Sequence, residues 1–152
     1  MKLLIISDVH GNTDALYSVI SKETPDTVIF CGDGVREVED ASRQFPKCAF
    51  VSVAGNCDRF SDAPVSLSLQ YGKASIFVTH GHKYIAKTGD SLLLAAAKRC
   101  GANILLYGHT HTPVCKVKDG IQVLYPGSLG YGGSYGVINT SADGFECELC
   151  RL

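Results

Sequence analysis

The chain has 152 residues, 45% apolar and 19% charged, with a formal net charge of −1, values that fit one globular domain over residues 1–152 and exclude a disordered or low-complexity chain. The balanced charge gives no electrostatic reason for nucleic-acid or membrane-surface binding, and no apolar run approaches the ~18 residues of a membrane span. The N-terminal apolar run ends on Asp8 and is too short for a signal peptide, and seven cysteines fit free thiols in the reducing cytoplasm.

Short runs rich in Ile, Val and Phe predict buried strands, and helix-like stretches lie between several of them. Leu3–Ile6 is the first strand and leads into Asp8-Val9-His10-Gly11-Asn12. Asn12 is a natural N-cap for a helix over Thr13–Ser21. Thr27–Cys31 is the second strand, followed by Gly32-Asp33, and Ala49–Val53 the third, followed by Gly55-Asn56-Cys57-Asp58. Ser75–Thr79 runs into His80-Gly81-His82. A Leu- and Ala-rich helix is expected over Ser91–Cys100, stopped by Gly101. Its basic pair Lys98-Arg99 reads as a solvated helix face. Ile104–Tyr107 is a further strand, leading into Gly108-His109-Thr110-His111. Beyond it, Val114–Lys118, Ile121–Tyr125, Gly136–Thr140 and Phe145–Leu149 read as strands, with turns at Asp119-Gly120 and Asp143-Gly144. The sum is an α/β core followed by an antiparallel section, two sheets packed together with helices outside. Gly127–Gly136, with Tyr131 and Tyr135, reads either as a mobile rim over a site or as a plain connection. Cys147-x-x-Cys150 lacks the second half of a zinc site and a redox context, and is assigned no role.

The polar residues fall immediately after the buried runs. In α/β sheets ligands bind beyond the carboxyl ends of the strands, and five strands here deliver carboxylate, amide and imidazole groups to one edge. All five histidines, His10, His80, His82, His109 and His111, lie in these clusters and none elsewhere. In Asp8-x-His10 and His109-x-His111, residues two apart on extended backbone point the same way and can share an ion. The mixed oxygen and nitrogen donors suit Mn, Fe, Co, Ni or Zn rather than calcium. So many donors exceed the needs of one ion, which points to a pair of divalent ions ~3.5–4 Å apart. Two such ions carry more charge than Asp8 and Asp33 offset, leaving a positive centre that attracts a phosphate oxygen.

Asp8-x-His10, Gly32-Asp33, Gly55-Asn56, His80-Gly81-His82 and Gly108-His109-x-His111 resemble, in order, the motif series of the calcineurin-like metallophosphoesterases. The small size, together with Pro126-Gly127-Ser128, resembles the single-domain YfcE-type phosphodiesterase branch. The resemblance implies a four-layer α/β/β/α sandwich of two mixed β-sheets flanked by helices. It implies that Asp8, His10 and His111 hold one ion, that Asn56, His80 and His109 hold the other, and that Asp33 bridges them. Manganese is the expected metal, with Fe, Co, Ni or Zn as alternatives, and a metal-bridging hydroxide is the implied nucleophile. The expected substrate is a small phosphodiester, contacted by Asn56 and, unless it serves only as a helix cap, by Asn12. Protein phosphatases of this superfamily carry a histidine after the motif asparagine that helps protonate the leaving group. Here that position is Cys57, whose thiol, with an ordinary pKa of ~8.5, suits the task poorly. Asp58 and His82 are the remaining candidates for an acid, and the departure favours diesters over phosphomonoesters. The rival readings are a phosphomonoesterase, a nuclease and a non-catalytic metal-binding scaffold. Neither nucleic acid nor membrane is expected as a partner. Relatives often associate, so a homo-oligomer stays open, although no interface stripe marks one.

Overall fold

The computed structural model describes residues 1–152. One five-stranded sheet contains β1 (Lys2–Ile6), β2 (Thr27–Phe30), β3 (Ala49–Ser52), β9 (Ser134–Thr140) and β10 (Phe145–Arg151), in the order β10-β9-β1-β2-β3. The other contains β4 (Ser66–Tyr71), β5 (Ala74–Thr79), β6 (Ile104–Leu106), β7 (Val114–Lys118) and β8 (Ile121–Tyr125), in the order β4-β5-β6-β8-β7. β1, β2 and β3 run parallel, as do β5, β6 and β8; antiparallel strands close three of the four sheet edges, and the parallel strand β3 is the fourth.

The alternation of side chains along these strands explains why they read as continuous apolar runs. Leu3 and Ile5 of β1, with Ile29 of β2, face the other sheet, where they pack with Ile76, Val78, Ile104, Leu106 and Leu124. Leu4 and Ile6 face outward against α1 (Thr13–Glu23) and α2 (Val35–Gln44), touching a cluster that includes Leu16, Val19, Ile20, Val38 and Ala41. On the opposite side, Phe77, Leu105 and Val123 pack under α3 (Ser91–Arg99), on Leu93, Leu94, Ala96 and Ala97. The central strands are therefore buried on both faces, the edge strands are partly exposed, and the layers stack as helix, sheet, sheet, helix. The expected sandwich of two mixed sheets is what the chain forms.

Two expectations need correction. The late strands are not a separate antiparallel section. β8 joins β6 in parallel, whereas β9 crosses to the first sheet and pairs antiparallel with β1. Each extends an existing sheet because a bare edge exposes unpaired backbone. The segment Gly127–Gly136 is not one loop either. Leu129–Gly132 forms a single helical turn, α4, capped by the Ser128 hydroxyl, and Tyr135 lies buried in β9 with its hydroxyl donating to Glu23. Only Tyr131 stands at a rim, 74% exposed. No helix is long and apolar enough to cross a membrane.

Candidate metal centre

β1, β2, β3, β5 and β6 all end at one edge, where the paired sheets meet, and the residues after them converge there. Asp8 Oδ1 lies 3.0 Å from His111 Nε2 and 3.6 Å from His10 Nε2, and the two imidazole nitrogens are 3.5 Å apart. Nearby, His80 Nε2 lies 3.2 Å from Asn56 Oδ1 and 3.5 Å from Asp33 Oδ2. These spacings match neighbouring ligands on one ion held by bonds of ~2.0–2.2 Å. Donor atoms of Asp8, Asp33 and His80 come within 4.8 Å of one another, and so do those of His10, Asp33 and Cys57. Asp33 therefore touches both groups.

The donors are held from behind. His80 Nδ1 donates to the Cys31 carbonyl at 2.7 Å. A carbonyl only accepts, so that nitrogen carries the proton and Nε2 is free to present a lone pair. The lone pair faces two further acceptors, Asn56 Oδ1 and Asp33 Oδ2. The Asn56 amide is set by its NH2 group, which points at Cys57 Sγ 3.3 Å away. Asp33 Oδ1 accepts the Cys57 N–H at 2.8 Å, and Asp8 Oδ2 accepts from the Ser7 hydroxyl and from the His109 N–H. In both carboxylates one oxygen is anchored and the other is turned to the imidazoles. In metal-free protein a proton on His80 Nε2 can sit between these acceptors, and a divalent cation can take its place.

Charge tells the same story in metal-free protein. Burial alone would raise the Asp33 carboxyl. The His80 hydrogen bond, the Cys57 N–H and the His80 charge outweigh it and hold the group far below the usual carboxylate range. Burial pulls His80 down, but its bond to Asp33 and the charges of Asp33 and Asp8 carry it above an ordinary histidine. His109 goes the other way, lowered by burial and then by the charges of His80 and Lys87, and His82 likewise by burial and His80. Heteronuclear NMR of metal-free protein is thus expected to show His80 titrating above ~6.5, with His109 and His82 below it. Added divalent ion should abolish the His80 titration in this range, because a metal competes with the proton for the same lone pair.

The backbone is bent to make this arrangement. Eight non-glycine residues have positive φ, and five of them are Asp8, His10, Asp33, His109 and His111. Such strain persists only where the surroundings enforce it, and it clusters at functional sites. Glycines give the ligand loops room. A Cβ on Gly55 would overlap Asp33 Oδ1 and come within 2.5 Å of the Asp33 nitrogen, and one on Gly108 would overlap the Ser7 hydroxyl and lie 2.8 Å from Asp8 Oδ2.

The remaining expected site residues lie as follows. The His109 ring is centred 5.1 Å from that of His80, at the edge of the second group. The His82 ring is centred 5.5 Å from His80, with its Nδ1 buried and unpartnered. Asn12 caps α1 by accepting the Ala15 N–H, and its NH2 donates to the Gly130 carbonyl. Both ends of its amide are therefore engaged within the protein, and the cap is the role its contacts describe. Asp58 accepts four backbone N–H groups, from Asp33, Gly34, Val35 and Gly55, at 2.8–3.0 Å. It ties the loop after β2 to the loop after β3, a role different from the acid expected of it. Sequence reasoning missed Ser7, which is wholly buried behind Asp8, and the stacking of Tyr131 on His10, with ring centres 5.0 Å apart. Ser7 carries no signal beyond adjacency to Asp8. Tyr131 is 121 positions from its partner and meets it only through the pairing of β9 with β1.

A helix-flanked pair of mixed sheets with candidate divalent-metal donors at the strand ends is the arrangement of the calcineurin-like phosphoesterase superfamily. Residues 1–143 match the model of the calcineurin-like phosphoesterase superfamily domain, and the chain belongs to that superfamily. It is 32% identical over 131 residues to the probable metallophosphoesterase YsnB of Bacillus subtilis, covering 85% of this chain and 75% of that protein. It is 28% identical over 168 aligned positions to the phosphodiesterase YfcE of Escherichia coli, covering 91% and 88%. Among solved structures, a predicted phosphoesterase of Streptococcus pneumoniae superposes with a TM-score of 0.83 at 25% identity, covering 99% of this chain and 88% of that one.

Proposed function

We propose that the protein hydrolyses small phosphodiesters with two divalent ions, manganese foremost. The observation that carries this reading is the convergence of two sets of acceptors on a shared carboxylate. Asp8, His10 and His111 would hold one ion, Asn56, His80 and His109 the other, and Asp33 would join them. Bound there, the pair would acidify a water molecule and neutralise charge developing on phosphorus. The chain's own part is to fix the donors and to aim the substrate. Cys31 and Asp33 orient His80, Ser7 orients Asp8, and Asn56 would present its oxygen to the ion while its NH2 group is held against Cys57 Sγ.

The surroundings favour diesters. A phosphomonoester with an alkoxide leaving group needs an acid, and none is well placed. Burial and the neighbouring Asp33 raise the Cys57 thiol, His82 is lowered and so uncharged at neutral pH, and both Asp58 oxygens are occupied by backbone donors. The free state of all seven cysteines supports a cytoplasmic setting. The net charge of −1 supports a small-molecule substrate over nucleic acid.

Metal-stripped protein supplied with manganese is expected to hydrolyse bis-p-nitrophenyl phosphate faster than p-nitrophenyl phosphate. Metal binding without hydrolysis of either ester would put the scaffold reading first. Asn56→Ala should lower both metal affinity and rate, by about 10- to 100-fold each; unchanged turnover with full metal occupancy would remove Asn56 from the site.

A further inference from the structure

A cavity of about 270 Å³ opens beside the ligand cluster, walled on one side by His10, Asp33 and Cys57 and on the other by Arg36, Arg59 and Phe60. Its size is at the lower end of small-molecule sites. Its volume is of the order a ring system or a phosphate group requires. Phe60 is 90% exposed, the most exposed large apolar side chain of the chain. No carboxylate lies within ion-pair distance of Arg36 or Arg59. The acids that share their wall are engaged elsewhere: Glu37 accepts the Gly11 N–H, and Asp58 takes its four backbone donors. Two unpaired guanidinium groups and an unpacked aromatic ring thus stand next to the metal ligands.

We propose that this cavity is a nucleotide subsite, holding the part of the substrate that carries a base and a second phosphate. The inference rests on the phosphodiesterase reading above and names the substrate class for it. A guanidinium binds a phosphate bidentately. A purine or pyrimidine stacks on an aromatic ring whatever its sequence identity. A diester joined to a nucleoside phosphate meets both requirements. It also supplies a remote handle whose binding aligns the reacting phosphorus without contributing to the chemistry.

Two measurements test this separately from the hydrolysis itself. Equilibrium dialysis of metal-free protein with ADP and with inorganic phosphate should show ADP bound more tightly than phosphate. Phe60→Ala should weaken ADP about tenfold and leave phosphate binding unchanged, whereas Arg36→Ala and Arg59→Ala should weaken both. With manganese, the ratio of kcat/KM for the p-nitrophenyl ester of thymidine 5′-phosphate bearing a 3′-phosphate to that for methyl p-nitrophenyl phosphate should fall about tenfold or more in each variant. Equal ADP affinity in wild type and all three variants would overturn the subsite even if diester hydrolysis is robust. Oligomer dissociation in Phe60→Ala with ADP binding intact would overturn it too, and would assign Phe60 to a contact between copies of the chain. Failure to hydrolyse any ester, with ADP discrimination intact, would overturn the phosphodiesterase reading and leave the subsite standing.

Discussion

Asp33→Asn is expected to reduce manganese-dependent diester hydrolysis by more than a hundredfold while the protein stays folded. The carboxylate touches both donor groups, so in the proposed centre its charge would serve two ions at once. Loss of a partner one shell further out already costs about 10- to 100-fold in such sites, and a shared direct ligand should cost more. The fold should survive because an asparagine oxygen can still accept the Cys57 N–H, and its amide can donate to His80 Nε2. The substitution has a pH signature in metal-free protein. Asp33 has a lowered pKa, so its contribution to stability is present above the unfolded value of ~3.9 and lost as pH falls through the folded one. His80 has a raised pKa, so its contribution is present below ~6.5 and lost as pH rises through the folded value. The stability deficit of the variant should therefore be largest between about pH 4 and 6.5 and shrink above that. Urea unfolding across this range checks it, and the same variant should lower the His80 titration seen by NMR.

Asp58→Ala should be the most destabilising single change near the site, by about 2–4 kcal/mol. Hydrogen bonds to a charged acceptor are each worth ~1.5–3 kcal/mol, and stranded donors add a desolvation cost. Partial exposure of the carboxylate keeps the total below the sum over its four bonds. Activity should fall as well, because the loops that Asp58 joins carry Asp33 and Asn56. Thermal unfolding and pH–rate profiles separate this role from that of a general acid. An anchor predicts a lowered Tm and a reduced rate with the shape of the profile kept. An unchanged Tm with loss of one limb of the profile would make Asp58 the acid after all.

Much of this was legible in the sequence because period and position carry it. Strands buried on both faces show as unbroken apolar runs, and the polar residues that follow them, Asp8, Asp33, Asn56, His80, His109 and His111, stand out in the sequence as candidate ligands that the fold brings to one edge. The sheet edges were harder. β4, Ser66–Tyr71, alternates between half-buried and exposed positions and lacks the solid apolar signature of its neighbours. α2 presents only Val35, Val38 and Ala41 to the core, too sparse a stripe among charged residues to stand out. The destination of the late strands was not legible, because a strand's own pattern does not say which sheet edge it will join. The backbone contacts of Asp58 were not legible for another reason. An acid beside a catalytic motif looks the same in sequence whether it faces substrate or backbone, and only the four N–H groups aimed at it decide. Asn12, by contrast, follows a local rule, and the helix after it confirms the cap.

A two-ion centre built on a shared Asp33 ties metal stoichiometry to activity. Metal-stripped protein would be titrated with manganese, with bound metal and bis-p-nitrophenyl phosphate hydrolysis followed in parallel. Two ions per chain are expected, with turnover rising as the second binds, and at most one tightly held ion and no turnover in Asp33→Asn. Full activity at one ion per chain, or two ions bound and active in that variant, would contradict it.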